Sequence, residues 1–162
     1  MCGHCGCHGV DAIAELNAEH AALVDEGTRL RAALSAGDRD TARDLLARLV
    51  EHLGGHVHRE EQGIFTALRQ HGEFADEVDA LEGEHQDLDV AVAALDPDAD
   101  GFDAAVRLLL ADLEQHIERE DLGIFPVSVV TLGADGWDVV DRAHAAIPTF
   151  LPGIATPSPT SP

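Results

Sequence analysis

HVHREEQGIF, residues 56–65, and HIEREDLGIF, residues 116–125, agree at six of ten positions, with Val57/Ile117 and Glu61/Asp121 conservative. Each copy sets a His four residues before a Glu and then runs into Gly-Ile-Phe. Residues i and i+4 of a helix lie one above the other on the same face. His56 with Glu60, and His116 with Glu120, therefore each offer an imidazole beside a carboxylate. Half of a metal site is encoded twice.

Outward from this repeat, apolar residues recur at spacings of three and four, the seam of a bundle helix. A first helix is predicted from Asp11, with Ile13, Leu16, His20, Leu23, Gly27, Leu30 and Leu34 on its stripe, ending at Gly37. Asp38 or Asp40 caps the second, whose stripe of Leu46, Leu49, Leu53, His56, Glu60, Ile64 and Leu68 ends near Gly72. Gly54-Gly55 weakens this helix by about 1 kcal/mol per residue relative to Ala; it marks either a close backbone approach or a bend. The third helix starts near Asp76 and is broken by Asp96-Pro97. The fourth starts near Phe102 and is closed by Pro126. A shorter fifth helix is predicted over 137–147, and the Pro/Ser/Thr-rich segment 148–162 is expected to be disordered.

The repeat reaches further, because helix 1 carries Glu19-His20-x-x-Leu23 and helix 3 carries Glu84-His85-x-x-Leu88. Two helical hairpins follow, each supplying EHxxL and then HxxxE. The predicted fold is all-α: an antiparallel up-down-up-down four-helix bundle with pseudo-two-fold symmetry and a short C-terminal fifth helix, spanning 10–147. Gly37 lies 17 residues after His20 and 19 before His56. A hairpin turning there brings those imidazoles level.

Four His and two Glu thus stand where the stripe calls for Leu or Val. Burying an unpartnered polar group costs roughly 2–7 kcal/mol, and a lone charge far more. A bound cation resolves the conflict, and imidazole with carboxylate suits iron, zinc, manganese or copper. Six ligands exceed what one tetrahedral zinc takes. Two metals, with Glu60 and Glu120 bridging and His20, His56, His85 and His116 terminal, use every group. The bland alternative is a metal-free network of His–Glu pairs. Asp121 is the main rival to Glu120 as ligand. Glu19, Glu84, Glu61 and Asp121 otherwise read as solvated or as outer partners of the ligands. His52 is a candidate rim ligand, His58 points away from the stripe, His71 sits at a helix C-terminus, and His144 either packs or covers the bundle mouth.

Composition narrows the function. The net charge of -21 argues against nucleic-acid and anionic-membrane partners. Without tyrosine, no tyrosyl radical can form. No signal peptide or spanning segment is visible, so a cytoplasmic location is expected, with Cys2, Cys5 and Cys7 as thiols or metal ligands. These cysteines, with His4 and His8, mark residues 1–9 as a separate Cys/His-rich head whose glycines oppose helix. The head reads either as a tail of thiols or as a redox or metal-binding flap.

The motifs AEHAAL (18–23), HVHREEQGIF, EGEHQDL (82–88) and HIEREDLGIFP together resemble those of hemerythrin-like (HHE cation-binding) proteins over about residues 11–125. The opening MCGHCGC resembles a bacterial subset with a short cysteine-rich head. The resemblance implies a non-haem di-iron centre, oxo- or hydroxo-bridged, that binds O2 and in some members reacts with peroxide or nitric oxide. It carries metal-ligand roles onto His20, His56, Glu60, His85, His116 and Glu120; zinc or manganese are alternatives in the protein as purified. Oxygen carriers of this family have a fifth His on helix 3, in an HxxxH pair. Here Leu81 and Asp89 stand at those distances from His85, which favours an oxidoreductase over reversible oxygen carriage. The alternative is a non-catalytic protein that binds or senses oxygen or iron.

Overall fold

A computed structural model describes residues 7–153. Cys2 and Cys5, and the end of the Pro/Ser/Thr-rich tail from residue 154, lie outside the described residues. Among the described residues there is no strand, and no helix is long and apolar enough to cross a membrane.

Helix α1 (Cys7–Ser35) turns at Gly37 into α2 (Arg39–Glu60). Gly37 adopts φ +71°, the left-handed conformation glycine takes without penalty. The Asp38 N–H reaches back to the Ala33 carbonyl and the Gly37 N–H to that of Leu34, which closes the last turn of α1. The Asp38 carboxylate accepts from the Thr41 N–H at 3.1 Å and caps α2. A π-turn (Glu61–Phe65) leads into α3 (Thr66–His71), which stops at Gly72 with φ +93°. After α4 (Ala75–Ala93) and the acidic loop come α5 (Phe102–Arg119), a second π-turn (Glu120–Ile124), α6 (Phe125–Thr131) and α7 (Ala134–Ala146). The chain packs α1 on α2, α3 on α4, α4 on α5 and α5 back on α1. The antiparallel four-helix bundle and its extra C-terminal helix stand as predicted.

Three boundaries differ from expectation. Helix α1 begins at Cys7, four residues before Asp11, so Cys7, His8 and Gly9 belong to its first turn. Gly9 is admitted because it lies flat against Trp137: a Cβ there would sit 2.4 Å from the indole. Pro126 does not end the fourth helix. It falls in the first turn of α6, directly after the π-turn, where the missing N–H costs nothing. The segment after Pro148 docks rather than dangles, with the Phe150 ring stacked 4.4 Å from that of His52 and the Thr149 hydroxyl bonded to Glu19.

Both π-turns begin at the end of an HxxxE motif, the first directly after Glu60 and the second at Glu120 itself. Each adds a residue to one turn, and such insertions gather at functional sites. The spacing His56, Glu60, Ile64, Leu68, and likewise His116, Glu120, Ile124, is four at every step. A 3.6-residue helix would drift off such a line; the wider turn keeps these residues on it, and all seven are buried.

The apolar core is divided. One cluster holds Leu23, Leu30, Leu49, Leu53, Leu88, Phe102 and Leu113; the other holds Ile13, Leu16, Phe65, Leu68, Val78, Phe125 and Trp137. On α1, α2, α4 and α5 the polar stripe positions fall between them. Leu81, four residues before His85, belongs to the second cluster.

Candidate metal centre

His20 comes from α1, His56 and Glu60 from α2, His85 from α4, His116 from α5, and Glu120 opens the second π-turn. All six are buried, and they converge on one layer. They form two overlapping groups of potential ligand atoms, His20, His56, Glu60, Glu120 and Glu60, His85, His116, Glu120, each within 4.8 Å of one another. The two glutamates belong to both groups.

The oxygens divide between the halves. Glu60 Oε1 lies 2.9 Å from His56 Nε2 and 3.4 Å from His20 Nε2, while its Oε2 lies 3.4 Å from His85 Nε2. Glu120 Oε2 lies 3.2 Å from His20 Nε2, while its Oε1 lies 3.1 Å from His116 Nε2 and 3.8 Å from His85 Nε2. Across each half the paired rings stand edge to face with centroids 4.6 Å apart. Yet both oxygens of each glutamate, with the Nε2 of His20 and of His56, are buried without a hydrogen-bond partner. Four buried oxygens without partners, ringed by imidazole nitrogens, are what cations would satisfy. The residues present fit the group that their spacing implied.

An outer ring of carboxylates fixes the imidazoles. Nδ1 of His20 donates to Asp121 at 2.7 Å, of His56 to Glu19 at 2.6 Å, of His85 to Glu61 at 2.9 Å, and of His116 to Glu84 at 2.7 Å. With Nδ1 so engaged, each ring presents Nε2 inward as a lone pair when neutral. The pattern obeys the repeat. The Glu of each EH pair holds the HxxxE histidine of its own hairpin; the acid after each HxxxE holds the EH histidine of the other. Asp121 therefore grips His20 from behind and does not join the inner cluster as the rival to Glu120. The π-turn lets Glu60 face inward while Glu61 reaches His85. Phe65 stacks on His85 at 5.5 Å and Phe125 on His20 at 5.3 Å, which accounts for the aromatic ending each motif.

Four further histidines, His52, His58, His71 and His144, stand apart from the cluster. His52 donates to Glu26 at 2.7 Å beneath Phe150 and is not a rim ligand. His58 and His71 are exposed. His144 packs on α7 near Glu15, with Nδ1 3.9 Å away, and burial and then the Arg59 charge lower it to about 4.

Sequence reasoning missed Arg59, 1% exposed, which pairs with Glu15 and, through Nε at 3.1 Å, with Glu19. It also donates to the carbonyls of His144 and Ile147. Its repeat partner Arg119 pairs with Glu84 at 3.0 Å but is 53% exposed. The signal was present, since Arg is one of the six shared positions; Arg is so seldom buried that the default was solvent.

In the metal-free chain the carboxylates draw protons onto the rings. Burial alone lowers His20, but Asp121, Glu120 and Glu60 outweigh it and push it up to about 12. Burial is likewise overcome at His56 by Glu60 and Glu19, and at His85 by Glu60, Glu120 and Glu61, each ending at about 9. His116 is raised by Glu120 and Glu84 against the same burial. Burial works to raise Glu60, but His56, His20 and His85 hold it well below the usual carboxylate range. Raised histidines stabilise the metal-free fold fully below about pH 6.5, and that contribution fades as pH rises through about 9. A ligating imidazole is neutral, so metal loading at pH 7 is expected to release protons, and apparent affinity to climb steeply with pH to about 9, where His56 and His85 lose theirs, and less steeply above it, where His20 still holds one. Calorimetric titrations in buffers of different ionisation enthalpy measure the protons; a heat independent of buffer contradicts the reading.

No match to the chain was found among curated proteins or among solved structures. The family profile of the hemerythrin HHE cation binding domain does match, over residues 11–128. That span begins just before the first apolar stripe and ends just past the second GIF motif, so it contains all six converging residues and the carboxylates behind them. The chain belongs to the hemerythrin HHE cation-binding family.

Proposed function

We propose that the bundle holds two iron ions, one in each half, and uses them to bind and react with O2, peroxide or nitric oxide. One observation carries the reading: Glu60 and Glu120 each turn one oxygen to either half, with those oxygens otherwise unpartnered. His20 and His56 would complete one position, His85 and His116 the other. Bound iron supplies electron exchange with a small oxygen- or nitrogen-containing ligand. The chain's own residues orient four Nε2 lone pairs through their Nδ1 bonds, exclude water with two apolar clusters, and balance charge with Arg59. Glu61, bonded to His85 Nδ1 at 2.9 Å, orients that ring from behind.

With four donors per half, ligand count argues against one tetrahedral zinc but not against two. Leu81 and Asp89 leave His85 without the fifth His that oxygen carriers pair with it, which favours reaction over reversible carriage. Protein purified in air is expected to contain about two metals per chain by this reading, with an oxygen-dependent near-ultraviolet band if they are iron. Consumption of peroxide or nitric oxide distinguishes turnover from binding. Metal-free protein that is fully folded and takes up no iron overturns the proposal.

A further inference from the structure

The duplicated centre sits in a cover that is not duplicated. On the His20/His56 side, α7 lies over the first π-turn: a Cβ on Gly63 would stand 3.4 Å from that of Ala143. Arg59 is buried there, Thr149 is bonded to Glu19, and Phe150 closes over His52. Gly123, the equivalent of Gly63, has open space beside it.

On the other side, α2 lies close along α1 but stands off from α4. A cleft of about 330 Å³ opens between α2 and α4, walled by Val50, Leu53, Gly54, Val57, Leu88 and Val92, with His58, Glu61, His85 and Asp89 also lining it. Val50, Gly54, Val57 and Glu61 recur at spacings of four, three and four, so they form one face of the helix. A side chain at 54 would fill that face. Glycine leaves it bare, and nothing lies within 4 Å of the Cβ position. Gly54-Gly55 thus marks neither a close approach nor a need for special backbone geometry, and costs the helix stability for which packing gives no return.

We propose that Gly54 keeps open the route by which small uncharged ligands reach the centre, on the His85 side. The proposal rests on the metal-binding reading above, and it names the half at which the ligand arrives. Most of the wall is apolar, with His58, Glu61 and Asp89 as the polar residues beside His85; it admits a diatomic gas or peroxide and gives a hydrated ion few groups to replace its lost water. A second cleft of about 260 Å³ reaches His116, but Glu84, Asp87, Asp112 and Arg119 line it, and such walls suit water and ions.

The test compares wild type with Gly54→Leu and, as a matched control, Gly55→Leu. Both glycines are exposed, helical and without neighbours at the Cβ position; only Gly54 lines the cleft. In stopped-flow mixing of iron-loaded full-length protein with nitric oxide, Gly54→Leu is expected to slow association by roughly tenfold while Gly55→Leu does not. Crystals pressurised with xenon provide the second readout, which needs no metal: xenon is expected in the wild-type cleft beside His85 and absent in Gly54→Leu. Equal association rates in Gly54→Leu and wild type, or a wild-type cleft that takes no xenon, overturn the route. A chain that binds xenon there but never loads metal refutes the metal-binding reading, and with it the ligand, while leaving the opening itself standing.

Discussion

Glu60→Gln is expected to strip metal from both halves of the centre, whereas His20→Gln or His116→Gln empties chiefly one. Glu60 is within reach of His20 and His56 through Oε1 and of His85 through Oε2, so its charge serves both positions. Losing a partner behind a ligand costs roughly 10- to 100-fold in metal affinity. Losing a shared ligand costs more, and metal per chain should fall by over half. Stability changes in the metal-free protein too. His20, His56 and His85 carry protons there at neutral pH because carboxylates face them, and removing a buried counter-charge costs about 3–5 kcal/mol. Elemental analysis with urea unfolding of the metal-free form measures both effects. Full metal content in Glu60→Gln rules out the shared ligand.

Arg59→Met carries the second large effect, and its repeat partner provides the comparison. Arg59 is fully buried, paired to Glu15 and Glu19 and bonded to the carbonyls of Ile147 and His144. Methionine fills the space but leaves Glu19 charged, buried and bonded only to His56 and Thr149. The expected cost is about 3–5 kcal/mol, or a fall of roughly 10 °C in melting temperature for a domain of this size. Arg119→Met removes the matching pair with Glu84 at a half-exposed site, where solvent screening leaves at most about 1 kcal/mol. Thermal melts of the two variants decide it, and equal losses would contradict an asymmetric cover.

The four bundle helices and the six converging side chains were legible in the sequence because the signal is periodic and repeated. Histidine and glutamate at Leu positions stand out against the 3-4 stripe, and HxxxE occurs twice. What escaped was non-periodic. The π-turns show only as spacings of four sustained past His56 and His116, which an α-helical reading absorbs as noise. Pro126 is read as a terminator because a plain helix would end there; the π-turn restarts the count and makes it a first-turn residue. Gly9 opposes helix by propensity, and only Trp137, 128 residues away, explains its place. The docking of Thr149 and Phe150 depends on partners from α1 and α2 that composition cannot name. Arg59 was missed for a related reason: a charged residue reveals burial only when its counter-charge is known.

The polar layer between the two apolar clusters also bears on how the molecule comes apart. Oil on one side of the layer makes no continuous contact with oil on the other, so the imidazoles and carboxylates are the mechanical joint between two blocks. Filled, that joint lets the bundle yield as a single cooperative unit. Emptied, it is held only by protonated rings and their carboxylates, so each block can loosen on its own as pH rises through about 9.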